Sequence, residues 1–196
     1  IGPGTVVVDR FDYSTAIADS WKQQTLLNIV KLRYVDLPVF VDVASIVSGY
    51  SMQTGVNVNG VFYICRAAIP HLKGAGGCIV NIASDAALTG NEHLTAYCAS
   101  KGAVLQMSRA MARDYAGYNI RIVPVCPGDV DTPMLRREYI DRGLGIETGL
   151  RESAAAVPLN RICTVEGIAH IVLFAASDSA ASITGSPLLV DGGYRA

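Results

Sequence analysis

The chain has 196 residues, 51% of them hydrophobic, enough for one domain with a sizeable core. Its 16 Lys and Arg stand against 17 Asp and Glu, with no run of like charge, so neither nucleic acid nor a charged membrane surface is the expected partner. No apolar run reaches the roughly 18 residues of a membrane span, so no membrane association is expected.

The start, Ile1-Gly2-Pro3-Gly4, has neither a methionine nor a basic leader and is expected not to be the natural start of translation. Cys65, Cys78, Cys98, Cys126 and Cys163 form no C-x-x-C pair. Free thiols in a reducing cytoplasm are the expectation, not disulfides or zinc. His71 and His93 have no partner at metal spacing, so no metal is expected.

In chain order, Thr5-Val6-Val7-Val8-Asp9-Arg10 reads as a strand ending in an acid. Residues 14–34 follow as a helix that Ser14 or Thr15 could cap, and Pro38 punctuates its end. Val39-Phe40-Val41-Asp42-Val43 is a second buried strand. A long helix runs from Val56 through His71, its apolar face formed by Val61, Ile64 or Cys65, Ala68 and Leu72. After Gly74-Ala75-Gly76-Gly77, residues 78–83 form a short apolar strand with Ser84 at its end. The next helix spans 96–115 and carries small residues on several sides, Ala96, Ala99, Gly102 and Ala103 among them. Residues 120–125 form another strand, and Pro127-Gly128 closes it. From Met134 to Pro158 glycines sit among charges, which predicts either a mobile helix-loop lid over a ligand or a merely exposed excursion. A helix over 164–177, capped by Thr164, and a strand over 186–191 complete the chain. Strands alternating with helices predict an α/β domain with a parallel sheet.

Tyr97 and Lys101 are four apart, hence stacked on one helix face. A phenol is a poor base near neutrality, since its free pKa is about 10. An ammonium about 4 Å away contributes roughly 4 kcal/mol at an effective dielectric near 20, which brings the phenol into working range. A serine hydroxyl beside it could hydrogen-bond a substrate oxygen. The chemistry is proton transfer at an alcohol or carbonyl. Taken alone, Tyr-x-x-x-Lys is also what an ordinary helix surface pair looks like.

The company this pair keeps is more specific. Asn81-Ile82-Ala83-Ser84 precedes the tyrosine, Pro127-Gly128-Asp129-Val130-Asp131-Thr132-Pro133-Met134 follows it, and Ile183-Thr184-Gly185 through Val190-Asp191-Gly192-Gly193 ends the chain. In order and spacing these resemble the classical short-chain dehydrogenase/reductase family from about Val56 to the C-terminus. The resemblance implies a three-layer, doubly wound parallel sheet of Rossmann type in a single NAD(P)-binding domain over 1–196. It implies interconversion of a secondary alcohol and a ketone, with Tyr97 as acid/base, Lys101 tuning it, Ser84 orienting the substrate and Asn57 supporting a proton relay. The alternative for Asn57 is a helix cap.

For the cofactor, the resemblance points to Gly2 as the remnant of a glycine turn and to Asp42 and Val43 beside the adenine. Tyr97, Lys101, Pro127, Gly128, Val130 and Thr132 would lie around the nicotinamide half. Asp9 reads as the acid that accepts the adenosine ribose hydroxyls and repels a 2′-phosphate, so NAD is expected over NADP; the plainer reading is a strand-end aspartate in a turn. Ser84, His93, Leu94, Asp129 and Met134 are expected to face the small alcohol or ketone. A homodimer or homotetramer is implied, through the Asn57 and Tyr97 helices.

The N-terminal part departs from the family pattern. Its T-G-x-x-x-G-x-G turn and N-N-A-G strand are not found, and Asn57 comes only fifteen positions after Asp42. Segments are therefore expected to be missing from this part. That gap supports a rival expectation, a non-catalytic Rossmann-like interaction protein without a working cofactor cleft.

Overall fold

The computed structural model describes residues 50–196, with side chains from Val58 onward. Gly2, Asp9, Asp42 and Val43, and the elements expected over 5–43, lie outside the described residues.

Three parallel strands, β1 (Gly77–Ile82), β2 (Ile120–Pro127) and β3 (Leu188–Val190), form a sheet in the order β1-β2-β3. Ile79 pairs with Ile122 and Val80 with Val123, so the side-chain alternation of the two strands is in phase. One face carries Ile79, Ile120 and Ile122 against Cys65 and Ile69 of helix α1 (Tyr50–Leu72) and Met111 and Ala112 of helix α2 (Thr95–Tyr115). The other carries Val80, Val123 and Val125 against Ile171, Val172 and Ala175 of helix α5 (Val165–Ala176). Helices therefore cover both faces, as a parallel sheet requires. The architecture is α/β, of Rossmann type.

β2 explains why the sheet centres where it does. Its residues from Ile122 to Cys126 are buried, so the strand reads as a continuous apolar run rather than an alternating one. The single charge on it, Arg121, reaches the end of α5, donating to the carbonyls of Ala175 at 2.7 Å and Ser177 at 3.1 Å. Thr164 caps α5 by accepting from the Gly167 backbone N–H at 3.0 Å.

Two details refine the sequence reading. In α1 it is Cys65 that enters the core, while Ile64 is 46% exposed. The 134–158 segment is more regular than a helix-loop: helices α3 (Pro133–Asp141) and α4 (Ile146–Ala155) pack on each other. Tyr139, 2% exposed, is their hub, its hydroxyl 2.7 Å from that of Ser153 and its ring under Gly149.

Candidate active site

At the carboxyl end of β1 the chain passes through Ser84 into a one-turn 3-10 helix, Asp85–Ala87. The Ser84 hydroxyl accepts from the Ala86 backbone N–H at 3.2 Å and donates to the Asp85 carboxylate at 3.0 Å. Ser84 and Asp85 are both buried.

Helix α2 brings Tyr97 and Lys101 to this turn. Lys101 is only 7% exposed, and a buried ammonium has to be hydrogen-bonded. It donates to the Ile82 carbonyl at 3.2 Å and lies 5.8 Å from the centroid of the Tyr97 ring. One cation thus ties the tyrosine helix to the strand that delivers Ser84. Tyr97 itself is half-buried, as a group that must meet a ligand needs to be.

A second polar relay joins β1 and α2 from beneath and adds α1. Asn81 of β1 donates to Ser108 of α2 at 2.9 Å, Ser108 donates back to the Val104 carbonyl at 2.8 Å, and the Cys65 thiol of α1 donates to Asn81 at 3.5 Å. Burial pushes the Cys65 thiol up to about 11, so it is no nucleophile. Cys126, at the end of β2, is also raised by burial, against the pull of the Ser84 backbone N–H. All five cysteines are free.

The end of β2 supplies the second wall. Gly128 donates to the Val190 carbonyl at 2.9 Å. A Cβ there would lie 3.0 Å from the Asp191 Cβ and 3.1 Å from its Cα, so any other residue would push Asp191 back by a few tenths of an ångström. Residues 129–131 then pair with Cys163, whose N–H donates to Asp129 at 2.9 Å and whose carbonyl accepts from Asp131 at 3.1 Å. Thr132 caps α3, accepting from Leu135 at 3.4 Å. Arg136 grips Asp131 with two hydrogen bonds, at 2.7 and 2.9 Å, and holds its carboxyl below the usual aspartate range.

Of the residues singled out in the sequence, Ser84, Tyr97 and Lys101 meet at one sheet edge, and Pro127, Gly128, Val130 and Thr132 follow the neighbouring strand's end on the same edge. His93 and Leu94 lie in the loop between Ser84 and Tyr97, His93 exposed with a left-handed backbone (φ 60) and Leu94 half-buried. Asp129 is exposed, and Met134, on the first turn of α3, is 62% exposed. Asn57 falls within α1, but its side chain is outside the described residues.

Three polar residues at this edge escaped the sequence reading. Arg195 donates to Asp85 at 3.3 Å and to Asn91 at 2.7 Å. No local spacing announces a pair 110 residues apart. Among the described residues there is no cluster of metal-ligating side chains, and no helix is long and apolar enough to cross a membrane.

The sequence matches, over residues 43–195, the family model described as enoyl-(acyl carrier protein) reductase. A 2-(R)-hydroxypropyl-CoM dehydrogenase of Xanthobacter autotrophicus is 42% identical over 153 residues, which cover 76% of this chain and 58% of that protein. From the same organism, a protein named inactive 2-(S)-hydroxypropyl-CoM dehydrogenase 2 is 40% identical over 142 residues, 72% of this chain and 61% of the relative. Among solved structures, a short chain dehydrogenase family protein from Francisella tularensis superposes with a TM-score of 0.65 at 32% identity, covering 76% of this chain and 64% of its own. The chain spans less than two thirds of the length of each of these proteins.

Proposed function

The chain belongs to the short-chain dehydrogenase/reductase family, and from that premise we propose that it interconverts a secondary alcohol and a ketone with a nicotinamide dinucleotide. The observation that carries the reading is the buried Lys101 ammonium, placed between the Ser84 strand end and the Tyr97 ring.

In alcohol oxidation Tyr97, as phenolate, takes the hydroxyl proton of the substrate. Lys101 favours the charged phenolate by simple proximity, and Ser84 orients the substrate oxygen. In ketone reduction the same phenol returns the proton. The two directions therefore depend on pH with opposite sign: oxidation rises as pH is raised and reduction falls across the same window. Asn57 supports the proton relay. The helices α3 and α4 close over the substrate as a lid, bringing Met134 towards it, with Asp129, His93 and Leu94 lining the other side.

The donors at this edge suit the nicotinamide half of the cofactor. Lys101 would hold a ribose hydroxyl, and the 127–132 segment, with Val130 and Thr132, would hold the carboxamide. Bound there, the cofactor supplies the hydride acceptor. Gly2, Asp9, Asp42 and Val43 would serve the adenosine half, and the Asp9 carboxylate would favour NAD over NADP. A single domain, a cytoplasmic site of action and a homodimer or homotetramer complete the reading. The exposed Phe62, Tyr63 and Ile64 of α1 support self-association.

A second reading, a non-catalytic Rossmann-like interaction protein, is favoured by one observation, the 40% identity to a relative named inactive. Titrating the protein into NADH while following nucleotide fluorescence separates the two. Saturable binding, together with reduction of NAD by a secondary alcohol, is expected. No binding of either dinucleotide would leave the interaction reading standing.

A further inference from the structure

Arg195 joins two parts of the sheet edge that are 110 residues apart. Asp191, 7% exposed, folds the chain back after β3: one carboxylate oxygen accepts the Gly193 N–H at 3.0 Å and the other the Arg195 N–H at 2.9 Å. The reversal uses Gly192 and Gly193 at φ 64 and 90, a region costly for residues with a Cβ. The guanidinium then lies 4.8 Å from the Tyr194 ring centroid. Its Nη2 reaches Asp85 and Asn91, both in the segment between Ser84 and Tyr97. Because the strand order is β1-β2-β3, this tail links the outer strand β3 to the turn after β1.

The far side of Asp85 is what gives the clasp a consequence. One carboxylate oxygen faces Arg195, while the other accepts the Ser84 hydroxyl at 3.0 Å and the Ala86 N–H at 2.7 Å. The side chains of Arg195 and Asp85 are 17% and 11% exposed, so water screens the pair little. The Arg195 Nε is buried with no hydrogen-bond partner among the described residues. An unsatisfied donor is destabilising, and such local costs are found where geometry serves a site.

We propose that Arg195 is a positioning residue that, through Asp85, controls how readily the Ser84 hydroxyl proton passes to a substrate oxygen. The proposal rests on the oxidoreductase reading given above. A hydroxyl has one proton. Here it is directed at Asp85, and it must turn away before Ser84 can donate to an alcohol or ketone oxygen. A shielded carboxylate with no counter-charge is a strong acceptor and would retain the proton. The guanidinium on the opposite oxygen draws that charge away and eases the exchange. Asn91 holds the guanidinium in register.

The test measures kcat, KM and NADH affinity for Arg195→Ala, Arg195→Lys and the double variant Arg195→Ala with Asp85→Asn. Arg195→Ala is expected to lose about tenfold in kcat/KM, the scale of one charge-assisted hydrogen bond, with NADH affinity unchanged. Arg195→Lys should fall between it and the parent protein. Adding Asp85→Asn should recover most of the loss, because the amide still accepts from Ala86 but carries no charge to hold the Ser84 proton. A purely structural clasp gives the reverse, since removing a second contact deepens the loss. A double variant no better than Arg195→Ala, or an Arg195→Ala with parental kcat/KM, overturns the proposal. If Arg195→Ala does not fold, Arg195→Gln takes its place in both variants. Amide hydrogen exchange at Ala86 gives a readout independent of turnover: the Ala86 N–H donates to the same Asp85 oxygen as Ser84, so exchange should slow in the Arg195 variant, and unchanged or faster exchange overturns the proposal. Parental turnover by Tyr97→Phe in the same series would instead overturn the functional reading, with exchange still deciding whether Arg195 draws charge from Asp85.

Discussion

The sheet edge and the α3–α4 pair stand next to each other in sequence but are built on opposite physical terms. Around β1, α2 and β2 buried polar groups tie one element to the next: Asn81 to Ser108, Lys101 to Ile82, Ser84 to Asp85. On α3 charges are paired on the surface, as in Arg137–Asp141 and Arg142–Glu138, and one buried ring, Tyr139, holds α3 and α4 together. The groups proposed for proton transfer thus stand on the over-determined part, where geometry is kept. The groups proposed to admit and cover the substrate stand on the part with the fewest constraints, the kind of region that opens locally at low cost.

The widest separation between the two regions should come from a core truncation. Ile122→Ala removes a fully buried side chain from the face shared with α1 and α2, and should cost about 2–5 kcal/mol in denaturant unfolding. A loss below about 1 kcal/mol would mean that the β2 face is not the core this comparison takes it to be.

A smaller effect, confined to the other region, is expected from Gly149→Ala. The new Cβ would lie 2.4–2.7 Å from ring atoms of Tyr139, so the ring or the helix must move. Overpacking of this kind costs roughly 1–3 kcal/mol. Because the strain falls on the α3–α4 contact, KM for the alcohol should rise while NADH affinity holds. An unchanged KM, with α4 displaced in a crystal structure of the variant, would remove these helices from the substrate path.

Arg136→Gln should do least. The Arg136–Asp131 pair is solvent-exposed despite its good geometry, and exposed pairs contribute little. Asp131 is held below its usual range in the folded state, so what the pair contributes is present above the unfolded aspartate pKa. It is lost as pH falls through the lowered value. At neutral pH the melting temperature should match the parent protein's within a degree or so, and any small gap should close in acid. A drop of several degrees would show that the α3 anchor is stronger than an exposed ion pair.

What could be read from the sequence follows the same division. β2 was legible because a strand buried on both faces is a plain apolar run, and α5 because Thr164 stands just before an apolar periodic stretch. Ser84, Tyr97 and Lys101 were legible because each sits at a fixed distance from an element's end: the exit of a strand, and one turn apart on a helix. The choice between Ile64 and Cys65 was not, since adjacent residues on a helix differ by 100° and either fits an apolar stripe. The packing of α3 on α4 was hidden because it depends on Gly149 leaving room for the Tyr139 ring, a contact no periodicity encodes. The Arg195–Asp85–Asn91 clasp was hidden for a simpler reason: it depends on which strand ends are neighbours, and that is known only once the sheet order is known.

Tyr97 is proposed to move the substrate proton at the edge where Ser84 and Lys101 meet. The most direct measurement is turnover of a secondary alcohol by Tyr97→Phe, with NADH affinity determined on the same preparation. Deleting one hydroxyl leaves the fold and the Lys101–Ile82 bond in place, so NADH should bind within a few-fold of the parent protein. Turnover should fall by about 100- to 10,000-fold, the range for loss of a positioned acid–base group. Parental turnover by Tyr97→Phe, with NADH bound normally, would contradict the account and assign the proton to another group.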